Sequence, residues 1–95
     1  LHSQGRELYW NYRGCAPEGA RALGARLAAA AGYTLCSPPE TASHGGYKDW
    51  FLLRYRRPAY TAEIGMGVNP LPLSDFPALC REVFPLLDLF CAADV

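Results

Sequence analysis

The chain has 95 residues, about half of them apolar, with nine basic side chains balanced by nine acidic ones. That length suits one small domain, and the balanced charge excludes a nucleic-acid binder that depends on basic excess. No apolar run is long enough to cross a bilayer, and Cys15, Cys36, Cys80 and Cys91 form no C-x-x-C pair, which excludes a zinc ribbon and a thioredoxin-type site.

Residues 8–12 are rich in aromatics and run into Arg13 and Gly14, the pattern of a strand followed by a turn. A helix is predicted next. Pro17 suits a first turn, Glu18 suits the positive helix end, and Ala20, Leu23, Leu27 and Ala30 recur at helical spacing until Gly32 stops them. Residues 33–36 read as a short strand, and residues 37–46 as a loop dense in turn formers, suited to walling a site. The pattern turns helical over 47–54, with Trp50 and Leu53 on one side, and Pro58 prevents much continuation. Arg54, Arg56 and Arg57 fit a solvated helix end. Residues 59–64 resume as a strand and 65–72 as an irregular connection. Ser74 is then placed to cap a last helix carrying Phe76, Leu79, Val83, Leu87 and Phe90 on one face, with a kink expected at Pro85. Cys80 and Cys91, three turns apart on that segment, fit the role of small reduced hydrophobes, which leans towards a cytoplasmic setting over the cell envelope or secretion. Alternating strands and helices make an α/β layered domain.

Taken singly, His2, Glu63 and the pair Gly45 and Gly46 read as ordinary surface residues. Their order carries more. Leu1-His2-Ser3-Gln4-Gly5, then Ser43-His44-Gly45-Gly46-Tyr47-Lys48-Asp49-Trp50-Phe51, then Tyr60-Thr61-Ala62-Glu63 before a final helix together resemble the C-terminal part of the zinc carboxypeptidase family. Within it, His-Ser-Gln-Gly, Gly-Gly-Tyr-Lys-Asp-Trp-Phe and Gly-Val-Asn-Pro-Leu-Pro are most similar to the bacterial γ-D-glutamyl-meso-diaminopimelate peptidases, which act on peptidoglycan stem peptides.

The resemblance implies a fold and a site. The fold would be the C-terminal part of a three-layer α/β/α domain with a mixed sheet, and residues 1–95 would be an incomplete catalytic domain. His2 matches the last protein ligand of the catalytic zinc and Glu63 the general acid/base. A catalytic zinc usually takes three protein ligands and leaves a position for water, and a nearby carboxylate can move that water's proton to the leaving amine. Lys48 matches a position facing the residue after the scissile bond, where a cation would favour the extra carboxylate of meso-diaminopimelate. Two departures are visible. Thr41 stands where digestive members carry a mobile tyrosine, and His44 replaces the motif's serine.

The family's H-x-x-E pair, which supplies the other zinc ligands, does not occur in these residues. The reading is therefore of a segment of a larger zinc metallopeptidase, needing the missing N-terminal part of its domain as a partner. By itself it would be inactive and hold zinc weakly or not at all, and it would self-associate through an unpaired sheet edge and exposed apolar surface. A non-catalytic peptide- or glycan-binding module that keeps the fold is the competing reading. The pairing of His2 with Glu63 favours the enzyme, because a binder needs neither.

Overall fold

A computed structural model describes residues 1–38 and 45–94. The described elements are β1 (Glu7–Tyr9), α1 (Ala20–Ala31), β2 (Thr34–Cys36), α2 (Tyr47–Tyr55), β3 (Thr61–Glu63), a 3₁₀ turn (Leu73–Asp75) and α3 (Phe76–Ala92). The α/β order expected from the sequence is present.

The sheet is mixed, in the order β2-β1-β3. β1 pairs in parallel with β2, Leu8 opposite Leu35, and antiparallel with β3, Leu8 opposite Ala62. A parallel neighbour needs a crossover, which α1 provides. Alternation along the strands then sorts the side chains by face. Leu8 and Ala62 are buried with Leu23, Leu27 and Ala28 of α1 and Val83 and Leu86 of α3. Glu7, Tyr9, Thr61 and Glu63 consequently project from the opposite face.

The helices owe their limits to local chemistry. α1 begins after Gly19 rather than at Pro17, and Gly32 ends it at φ 74°. The Gly32 and Tyr33 N–H groups donate back to the carbonyls of Ala29 and Ala28, closing the helix in a left-handed turn that glycine adopts without strain. Its buried face is Ala20, Leu23, Gly24, Leu27, Ala28 and Ala31, so Ala30 lies outside it. Ser74 does not cap α3; it lies within the 3₁₀ turn, and Asp75 occupies the cap position without a side-chain bond. Pro85 sits inside α3, which continues to Ala92. Only Val83 and Leu86 of that helix are buried, while Phe76 is exposed.

Side chains tie the layers together. Tyr60 donates its hydroxyl proton to the Ala20 carbonyl at 2.7 Å, linking the entry to β3 with the start of α1. Arg6 pairs with Glu82 of α3 at 2.6 Å and lies over the Tyr33 ring.

Candidate active site

The residues singled out by sequence fall on two parts of the molecule. His2 precedes β1 and returns to β3. Its N–H donates to the Ala62 carbonyl at 2.9 Å, and its own carbonyl accepts from Ile64 N–H at 2.8 Å, forming a parallel bridge with Glu63. Glu63 in turn stands opposite Glu7 in the antiparallel register. His2, Glu63 and Glu7 therefore form one row across neighbouring strands, on the face away from α1 and α3. His2 and Glu63 are thus backbone bridge partners, with His2 exposed and Glu63 half-buried.

Glu7 and Tyr9 join this face, and neither was singled out from the sequence. Tyr9 donates its hydroxyl to Glu7 Oε2 at 2.5 Å. That bond to Glu7, burial, and the nearby charges of Glu7, Cys36 and Glu63 push the phenol up to about 12. Cys36, opposite Tyr9 on β2, has its thiol pushed up by burial and then by Glu7. Both groups therefore keep their protons at neutral pH. The period-two spacing of Glu7 with Tyr9 and of Thr61 with Glu63 is the signal that could have found them.

Lys48 lies elsewhere, at the start of α2, and is buried. Its ammonium donates to Asp49 Oδ1 at 2.5 Å and to the Asn11 carbonyl at 2.6 Å, which anchors α2 to the turn after β1. A cavity of about 200 Å³ opens beside it, lined by Tyr12, Gly45, Asp49, Trp50 and Leu53. Thr41 and His44, together with most of the loop 37–46, lie outside the described residues.

For zinc, the donor chemistry is apt but partial. An exposed imidazole with no hydrogen-bond partner among the described residues can ligate a metal. Among the described residues no three His, Cys, Asp or Glu side chains form a metal-binding group. The remaining ligands of a three-ligand site would have to come from outside them.

The described part is thus an α/β unit with an imidazole and a carboxylate in register on one sheet face. Over 83 residues it is 39% identical to γ-D-glutamyl-L-diamino acid endopeptidase 1 of Lysinibacillus sphaericus, a match covering 86% of this chain and 20% of that protein. It is also 38% identical over 76 residues to the uncharacterized protein YqgT of Bacillus subtilis strain 168, covering 80% of this chain and 20% of that one. The chain is homologous to a γ-D-glutamyl-L-diamino acid endopeptidase over most of its length, in agreement with the resemblance its motifs carry. It spans about one fifth of the length of both relatives. No family model and no solved structure matches it.

Proposed function

We propose that this chain is the C-terminal part of the catalytic domain of a zinc metallopeptidase of the carboxypeptidase type, with a three-layer α/β/α architecture in the whole protein. Its substrate is the γ-D-glutamyl-diaminopimelate bond of peptidoglycan stem peptides. The observation that carries this reading is the in-register pairing of His2 with Glu63, supported by homology to a protein whose name specifies the γ-D-glutamyl-L-diamino acid linkage.

In this reading His2 holds the metal as a neutral nitrogen donor. Zinc, when bound, supplies a Lewis acid for the peptide carbonyl and lowers the pKa of the attacking water. Glu63 accepts that water's proton on its carboxylate and returns it to the departing amine nitrogen, so the proton count closes within one turnover. Lys48 is assigned to the substrate's side-chain carboxylate by its position in the motif. Its bonds to Asp49 and Asn11 mean that a substrate carboxylate must share an ammonium already held in place.

The test uses the full-length protein that carries this chain. Glu63→Gln should lower kcat on a γ-D-glutamyl-diaminopimelate peptide by roughly 100- to 10,000-fold, the usual worth of a general acid/base. Bound zinc, measured by elemental analysis, should be unchanged. Wild-type turnover by this variant would overturn the assignment.

A further inference from the structure

We propose that Asn69 is a positioning residue that fixes the His2 segment through Ser3. The inference rests on the reading of His2 as a metal ligand and adds the device that aims it. His2 is attached to the sheet by a single bridge, two backbone hydrogen bonds to Ala62 and Ile64. One bridge leaves the chain free to pivot at the next residue. At Ser3 and Gln4 it leaves β3 before Gly5 N–H reconnects it to the Gly65 carbonyl at 2.8 Å.

The connection 65–70 grips that gap from outside the sheet. Asn69 Nδ2 donates to the Ser3 carbonyl at 3.1 Å, and Asn69 Oδ1 accepts from the Ser3 hydroxyl at 2.9 Å. Both ends of one carboxamide are thus committed to the residue after His2. Its orientation is not arbitrary: a carbonyl can only accept, so the amide nitrogen must face it, and the oxygen then meets the hydroxyl proton. Gly67 N–H adds a bond to Gln4 Oε1 at 3.2 Å. The base of the grip is firm because Gly65 is buried against Leu71 and Leu79.

Ser3 and Asn69 are both exposed, so water replaces their bonds at little cost to folding. Aim is affected far more, since ligands must be held to within about 0.5 Å and 10–20° of working geometry. Groups that orient a metal ligand typically change metal affinity by 10- to 100-fold when removed.

In the full-length protein, Asn69→Ala should weaken zinc binding by roughly 10- to 100-fold in competition with a chromophoric chelator. It should change the visible absorption of the cobalt-substituted protein, speed amide exchange in segment 1–5 of the metal-free protein, and lower kcat with KM little changed. Ser3→Ala, which removes one of the two carboxamide bonds, should give a smaller effect of the same kind and serves in place of Asn69→Ala if that variant does not fold. His2→Ala is the reference. If it abolishes zinc binding while Asn69→Ala and Ser3→Ala leave affinity and cobalt spectrum within twofold, the positioning role is wrong and the ligand assignment stands. If His2→Ala leaves zinc binding intact, both fall together.

Discussion

Tyr9 and Glu7 show how one register decides the chemistry of a residue. Glu7 in a list of residues is an ordinary surface acid; in the structure it stands opposite Glu63 and accepts the Tyr9 hydroxyl on the face on which His2 lies. Because the Tyr9 phenol is pushed up to about 12 from an ordinary 10, the folded state holds that proton more tightly than the unfolded chain does. Its contribution to stability is complete below pH about 10 and is lost as pH rises towards 12. Glu7→Gln should bring the Tyr9 phenol back towards 10, seen as phenolate absorbance at lower pH after subtraction of a Tyr9→Phe titration. An unchanged curve would mean that Glu7 does not govern Tyr9. His2 and Glu63 could be picked out because they stand in ordered motifs that resemble those of a known family. Glu7 offers only its period-two spacing with Tyr9, and Asn69 offers nothing local, because its partner Ser3 lies more than sixty residues away along the chain.

The elements follow sequence pattern in type and depart from it at their ends and faces. The strand expected over 8–12 is Glu7–Tyr9, because Asn11 turns its side-chain oxygen to the N–H groups of Tyr12 and Ala16 and draws the backbone away from the sheet. The strand expected over 59–64 is likewise shortened to Thr61–Glu63. On α2 the apolar stripe is not the buried one. Lys48, Asp49 and Leu52 face inward, while Trp50 and Leu53 are exposed, Trp50 joining a cluster of rings with Tyr47, Phe51 and Tyr55. Polarity alone misassigns such a helix, since a lysine and an aspartate can be buried when they satisfy each other.

The connection 65–72 is irregular yet spatially determined. At Gly65, φ is 74° and an added Cβ would lie 2.5 Å from Leu71 Cδ1. Gly65→Ala combines left-handed strain with overpacking and should cost about 1–3 kcal/mol. A thermal melt would read this as a clear drop in Tm, and an unshifted melt would show that the connection yields more easily than its packing implies.

At the scale of the molecule, the described sheet, with α1 and α3 packed on one face, leaves much apolar surface in contact with solvent. Leu73, Val68, Tyr47, Leu1 and Phe76 are all more than 60% exposed, a level at which residues 1–95 alone should associate rather than stay dispersed. Sedimentation of the isolated 95-residue chain should show mass rising with concentration. A single monomeric species at high concentration would count against this. No described helix is long and apolar enough to cross a membrane.

The sequence by itself determined the element order and the glycine that ends α1, because helix periodicity and left-handed caps are local properties, and it offered His2 and Glu63 only through motifs that resemble a known family. Tertiary structure alone decided that His2, Glu63 and Glu7 stand in one row, that Lys48 is buried against Asp49, and that Asn69 closes on Ser3. Each of those depends on strand register or on a contact between distant segments, which arises only when burial of Leu8, Leu27 and Ala62 fixes which face of the sheet turns inward.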